Sequence, residues 1–293
     1  MRHFAIAGIQ LEIKNNADNM IKIRAHLDNL LDQFPWVQMV VLSELAACGH
    51  DVQNAQPEDG PLEQAFCQMA KKHGIWLIPG SMYQVKDHQL FNVAPVINPE
   101  GEVVGRHKKM FPFAPYEQGI TPGTEPFVFD VPDVGRFGVS ICYDMWFPET
   151  TRWLVCQGAE VIIHPTFTDT IDRDVELAIV RATAAQNQCF VIDVNGLDDG
   201  GNGRSIFVGP SGDVLHQCGT HSEDVPIEID LDRVSRGREL GLRGLGQPLK
   251  SFRDRAFDFP CYQKGYRSQY LNALGRLEKP KRGTPCGINK RPK

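Results

Sequence analysis

The feature that most constrains this chain is a repeated pairing of a short, continuous apolar run with a helix that has one apolar face. Residues 4–10 form such a run, and residues 37–42 form a second, rich in β-branched side chains and ending at Ser43-Glu44-Leu45. Between them Met20, Ile23, Leu27, Leu30, Leu31 and Phe34 recur at three-to-four spacing, which predicts an amphipathic helix. Asn15 and Asn16 are the expected N-cap, because an Asn side chain accepts from the unpaired N–H groups of a first turn. A second helix around 62–72 leads to a strand at 75–79. Buried strands alternating with helices read as an α/β fold.

From 89 to 104 the pattern changes to hairpin-like strands around the turn Asn98-Pro99-Glu100-Gly101, and 127–129 and 137–142 are further strands. The order then repeats: helix 149–157, strand 161–163, helix 175–187, strand 190–194. Runs at 206–208 and 214–217 flank the turn Gly209-Pro210-Ser211-Gly212. Two β-rich halves with interleaved helices, and no Pro/Gly/Ser linker between them, predict one α/β domain over 1–245. The remaining 246–293 is expected to be a basic C-terminal extension that packs on the domain or on a partner subunit. From Tyr262 onward nine Lys or Arg stand against one acidic residue, Glu278. The only aromatics from Tyr262 onward are Tyr262, Tyr266 and Tyr270, too few to suggest a nucleic-acid arm.

Composition narrows the function classes. At 293 residues, 42% hydrophobic and 23% charged, the chain has globular proportions. No apolar run reaches the roughly 18 residues of a membrane span. The first ten residues lack the features of a signal peptide, so a cytoplasmic protein with reduced thiols is expected. A net charge of -5 exerts no general pull on nucleic acid. The eight cysteines include no Cys-x-x-Cys, and no His-Glu-x-x-His occurs, so nothing points to zinc.

The most informative segment is Gly138-Val139-Ser140-Ile141-Cys142-Tyr143-Asp144-Met145-Trp146-Phe147-Pro148-Glu149. An apolar strand runs into Cys142, and Pro148 suits the start of the next helix, so a thiol sits at the crest of a strand-to-helix turn. Taken alone, this is equally the description of a buried cysteine that closes a core strand. The run Ile-Cys-Tyr-Asp-x-x-Phe-Pro-Glu, however, resembles the nucleophile motif of the nitrilase superfamily of carbon–nitrogen hydrolases. Leu42-Ser43-Glu44-Leu45-Ala46-Ala47-Cys48-Gly49 resembles its glutamate motif, and Gly105-Arg106-His107-Lys108-Lys109-Met110-Phe111-Pro112 its lysine motif. Tyr116-Glu117 with Pro122-Gly123 fits the segment after the lysine. Arg181-Ala182, with Asn187 five residues on, fits the family's later helix, and Gly203-Arg204-Ser205 and Pro210-Ser211-Gly212 fit its closing strands. The motifs occur in family order over about 4–232.

The resemblance implies an α-β-β-α sandwich and a Glu44, Lys109, Cys142 triad, with Glu117 as a supporting carboxylate. Lys108 and Lys109 are adjacent, so on a strand they face opposite ways and one alone can reach the site. The aliphatic-amidase alignment places Lys109 there. A free thiol has a pKa near ~8.5, so Glu44 is needed as general base. Lys109 and the Tyr143 amide would stabilise the oxyanion. Asp144 and Glu149 read as structural, while Tyr143, Trp146 and His164 are expected around the substrate. No cofactor or metal is required, and family members commonly form homodimers or larger homo-oligomers.

Cys142-Tyr143-Asp144 departs from the Cys-Trp-Glu of true nitrilases. Met145 and Trp146 stand where carbamoyl-D-amino-acid hydrolases carry arginines. Trp146-Phe147-Pro148-Glu149 resembles N-carbamoylputrescine amidases, whereas Pro112 and Pro115 lean toward aliphatic amidases. The expected activity is thus thioester-mediated hydrolysis of a small amide or N-carbamoyl compound. A nitrilase, or an acyltransferase or binding member of the fold, is the alternative.

Overall fold

The computed structural model describes residues 1–15 and 18–283. Strand β1 (His3–Gln10) divides its apolar side chains by the period of two: Phe4 and Ile6 serve one face, Ala7 and Ile9 the other. Helix α1 (Asn19–Gln33) covers the second face with Ile23, Leu27, Leu30 and Leu31. Its cap is Asp18, whose carboxylate accepts from the Met20 amide at 3.0 Å. Of the expected caps, Asn15 instead accepts from the His50 amide at 3.0 Å; Asn16 lies outside the described residues.

Strand β2 (Met39–Leu42) runs parallel to β1, and α2 (Pro61–His73) then leads to β3 (Trp76–Ile78). The predicted hairpin region is a three-stranded meander of β4 (Met82–Lys86), β5 (Gln89–Ile97) and β6 (Val103–Lys108). The second half comprises β7 (Phe127–Val131), β8 (Gly135–Val139), α3 (Pro148–Cys156), β9 (Val161–Thr166), α4 (Arg173–Asn187), β10 (Phe190–Asn195), β11 (Ile206–Val208) and β12 (Val214–Gln217). Strand β13 (Glu223–Asp230) then returns to pair antiparallel with β1, followed by α5 (Asp232–Leu240).

One sheet has the order β13-β1-β2-β3-β5-β4, with the two-residue strand Gln56–Pro57 at its edge and β6 on β5. The other has the order β12-β11-β10-β9-β8-β7. Between the sheets lie Phe4, Ile6, Met39 and Val41 from the first, against Phe137, Ile163, Phe190, Ile192 and Phe207 from the second. The outer face of the first sheet packs on α1 and α2 through Val40, Leu42, Phe66 and Met69. That of the second packs on α3 and α4 through Ile162, Val191, Leu154, Leu177 and Val180. These three apolar layers define the α-β-β-α sandwich.

Gly8 shows how closely the sheets approach: a Cβ there would stand 2.5 Å from Cζ of Phe207 and 3.0 Å from Cγ2 of Val194. Beyond α5 the chain folds back as α6 (Pro248–Arg253), with Leu249 against the outer layer of the second sheet. The Tyr262 hydroxyl then donates to Glu149 at 2.7 Å.

Candidate active site

Three strand ends converge on one point. Beyond β2, the Glu44 amide donates to the Thr166 carbonyl of β9 at 3.2 Å, which ties this strand end to the opposite sheet. Leu45 then takes a left-handed φ of 55°, with its amide on the Ser81 hydroxyl at 3.2 Å. Gly80 makes this bend possible, since a Cβ there would lie 1.7 Å from the Ser43 carbonyl oxygen. Beyond β6, the Lys109 amide donates to the Asn92 carbonyl at 2.8 Å, and its side chain is 2% exposed. Lys108 turns the other way and lays its ammonium over the Phe91 ring at 3.9 Å.

Cys142 opens a short 3-10 helix (Cys142–Trp146) just past β8. Its φ of 46° is left-handed, a conformation that costs a residue with a Cβ about 1–2 kcal/mol. Asp144 holds this turn from inside. Its carboxylate accepts from the amides of Ile141 at 3.0 Å and Phe111 at 2.8 Å, and lies 2.9 Å from His107 Nε2. One side chain therefore joins the cysteine turn to the segment that carries Lys109. Burial opposes ionisation of Asp144, but these hydrogen bonds, with His107 foremost, hold its pKa below the usual carboxylate value.

The Lys109 ammonium sits between two carboxylates, 2.8 Å from Glu44 Oε1 and 2.7 Å from Glu117 Oε2. Asn92 Nδ2 donates to both, at 2.8 Å and 3.2 Å. Glu117 also accepts from the Phe113 amide at 2.6 Å and from the Tyr83 hydroxyl at 3.3 Å. Burial disfavours the charge on Lys109, yet Glu44, Cys142 and Glu117 together hold its pKa well above the ordinary value. Burial, reinforced by Glu117, raises Glu44 despite the pull of Lys109. Glu117 is itself lowered, because Lys109 and its other donors outweigh burial. The thiol of Cys142 is pushed well up by burial and by the charge of Glu44, with Lys109 opposing. The site thus sets a thiol whose ionisation burial disfavours beside the Glu44 carboxyl, with the Lys109 ammonium next to both.

A cavity of about 260 Å³ opens over Cys142, walled by Phe113, Tyr143, Trp146, Phe167 and Glu176. Trp146 is held by a hydrogen bond from its indole N–H to Glu176 at 3.2 Å. His164 is packed beneath, with Nδ1 3.1 Å from the Ser140 carbonyl and Nε2 3.6 Å from Asp193. It borders a void of about 10 Å³ that it shares with Cys142, Trp146 and Glu176, and burial lowers its pKa. Glu149 faces the Tyr262 hydroxyl.

Sequence reasoning missed Asn92, Tyr83 and the pair Arg173–Asp193, a buried ion pair joined by Glu176 at 3.4 Å from Arg173. The available signal was a polar residue inside an apolar strand: Asn92 within Leu90-Phe91-Asn92-Val93, and Asp193 within Val191-Ile192-Asp193-Val194. Cys48 lines a separate cleft of about 610 Å³ that contains no member of this site. Among the described residues, metal-ligating atoms converge only at His216, Cys218 and Glu223, where Glu223 already hydrogen-bonds His216 at 2.5 Å.

A thiol, a carboxylate and a lysine at strand ends of paired sheets is the equipment of an acyl-transfer hydrolase. The carbon-nitrogen hydrolase family model matches residues 5–239, and the chain belongs to that family. The chain is 30% identical over 211 residues to the 2-oxoglutaramate amidase of Bacillus subtilis, which covers 69% of this chain and 81% of the relative. It is 27% identical over 259 residues to the human omega-amidase NIT2, across 82% of this chain and 93% of that protein. Among solved structures, Saccharomyces cerevisiae Nit3, a member of branch 10 of the nitrilase superfamily, superposes with a TM-score of 0.74 at 23% identity. That match covers 81% of this chain and 94% of Nit3. An amidase from Nesterenkonia sp. gives 0.72 at 22% identity, over 81% and 94%. The protein is a hydrolase of linear amide carbon–nitrogen bonds. Among the described residues no helix is long and apolar enough to cross a membrane.

Proposed function

We propose that Cys142 is the nucleophile, Glu44 the general base and Lys109 the oxyanion cation in the hydrolysis of a small amide or N-carbamoyl compound. The observation that carries this reading is the Lys109 ammonium bonded at once to Glu44 and Glu117 beside the buried Cys142 thiol. Glu44 accepts the thiol proton as the sulfur attacks the carbonyl carbon. Lys109 and the Tyr143 amide, which lies in a first helical turn and has no acceptor inside it, stabilise the oxyanion. Glu44 returns the proton to the leaving nitrogen, the C–N bond breaks, and a thioester remains on Cys142. Glu44 then deprotonates a water that attacks the thioester, releasing the acid and restoring the thiol. Glu117 keeps Lys109 charged and aimed.

The catalytic domain spans 1–245 in this reading, and the extension from 246 packs on that domain or on a second copy of the chain. Support comes from the exposed Phe257, Tyr262, Leu271, Leu274 and Leu277 along that segment. A reducing cytoplasmic setting fits a mechanism that needs a free thiol. The test is ammonia release from formamide, short aliphatic amides, N-carbamoyl amines, N-carbamoyl amino acids and nitriles, with wild type and Cys142→Ala side by side. Turnover lost in the variant, with an acyl adduct on wild-type Cys142 by intact mass, is the expected result. Undiminished turnover in Cys142→Ala removes the assignment.

A further inference from the structure

The walls of the cavity over Cys142 carry charge of one sign. Asp169, Asp172 and Glu176 line it, alongside Phe113, Tyr143, Trp146, Phe167 and two threonines, and among the described residues no lysine or arginine does. The buried cations beside it are already paired: Lys109 lies between Glu44 and Glu117, and Arg173 bridges Asp193 and Glu176, while Lys279 lies farther out over the Tyr116 ring at 4.7 Å. Counting the two buried cations against Glu44, Glu117, Asp193 and Glu176, the surroundings remain negative before Asp169 and Asp172 are added.

Glu176 is the carboxylate best placed to act on a ligand. It borders both the main cavity and the small void that adjoins it, in each case together with Cys142 and Trp146. Its side chain is 12% exposed, so its field is weakly screened by water. One oxygen accepts from the Trp146 indole at 3.2 Å, and the other pairs with the Arg173 guanidinium at 3.4 Å. Burial raises its pKa, and an incoming cation would oppose that shift by stabilising the ionised carboxylate. Aromatic faces on Trp146, Tyr143, Phe113 and Phe167 complete a lining that suits an alkylammonium.

We propose that Glu176 is a specificity-determining residue that selects substrates whose non-reacting end is an ammonium group and disfavours those ending in a carboxylate. The inference rests on the amidase reading above. A cavity of about 260 Å³ holds roughly nine waters at ~30 Å³ each, which limits the ligand to a short chain.

The experiment compares kcat/KM for three substrates of similar length: 4-aminobutanamide, pentanamide and succinamate, with wild type and Glu176→Gln. In wild type the ammonium substrate is expected to lead and succinamate to trail it by tenfold or more. A charge-assisted hydrogen bond is worth about tenfold to a hundredfold. Glu176→Gln should therefore cut the ratio of ammonium to neutral substrate by about tenfold, chiefly through KM. Inhibition of the wild type by propylammonium and by butyrate repeats the test without a variant, and the amine should bind the tighter. Succinamate turning over as well as the amine, butyrate binding as tightly as propylammonium, or a Glu176→Gln effect equal on all three substrates overturns the proposal. No ammonia from any of them, with no acyl adduct on Cys142, is instead the failure of the amidase reading, and the inference falls with it.

Discussion

Lys109→Met is the perturbation whose outcome follows most directly from the site. The substitution keeps the length and apolar stem of the side chain and removes the charge between Glu44 and Glu117. Two carboxylates are then left buried, sharing the Asn92 donor. Removing one partner of a buried ion pair costs about 3–5 kcal/mol, because the remaining charge has no compensation. For a chain of this size about 1 kcal/mol moves the midpoint by roughly 2–4 °C, so a drop of roughly 6–20 °C is expected at neutral pH. The pH dependence supplies the sharper check. Without the cation, burial and mutual repulsion raise both carboxylates above their unfolded values. Groups raised in this way destabilise the fold where they are ionised and cease to do so once protonated. The deficit should therefore shrink as pH falls from about 8 to about 5. Thermal melts of both proteins across that range are the assay, with Lys108→Met as the comparison. Lys108 loses only a half-buried contact with Phe91, worth about 0.5–1 kcal/mol. A Lys109→Met deficit that is flat in pH, or a Lys108→Met deficit as large, would refute the reasoning.

Cys142→Ala should reduce ammonia release by about 10³-fold or more, since the thioester cannot form. Asn92→Leu removes a donor from both Glu44 and Glu117, so kcat/KM should fall about tenfold to a hundredfold. Its acidic limb should move to higher pH, because the base loses a bond that favours its ionised form; a limb that stays in place would count against that role. Asp144→Asn should destabilise by about 2–4 kcal/mol at neutral pH. The Asp144 pKa is lowered in the fold, so its contribution is present above the unfolded value and lost as pH falls through the folded one. Melts of wild type and Asp144→Asn should consequently converge in strong acid.

Much of this architecture was legible in the chain because buried strands and amphipathic helices carry their periodicity openly. Residues 4–10, 37–42 and 190–194 read as buried strands and are strands in the fold. Strand β13 escaped notice, since Glu223, Glu228 and Asp230 make it look like surface chain and its pairing with β1 spans most of the sequence. The cap falls on Asp18 rather than Asn15 because several polar residues in a row can each serve, and tertiary contacts such as that of Asn15 with His50 choose among them. Glu44, Lys109 and Cys142 meet because each lies just beyond the end of a recognisable strand, whereas Glu117 stands in the loop that follows Lys109. Asn92 and Arg173 were harder to find, because a polar group inside a strand or at the buried start of a helix shows its purpose only once its partner is packed against it.

The division of the site between the sheets has a consequence for how activity fails. Glu44 and Lys109 hang from one sheet and Cys142 from the other, so the apolar layer between them acts as the spacer of a caliper. Its jaws are set by residues as distant as Gly8 and Phe207, where the sheets all but touch. A displacement of about 1 Å at a reacting atom can cost about a hundredfold in rate, far less motion than unfolding requires. Mild denaturant or an added methylene in that layer should thus spoil the gap, and the chemistry with it, while both sheets are still intact.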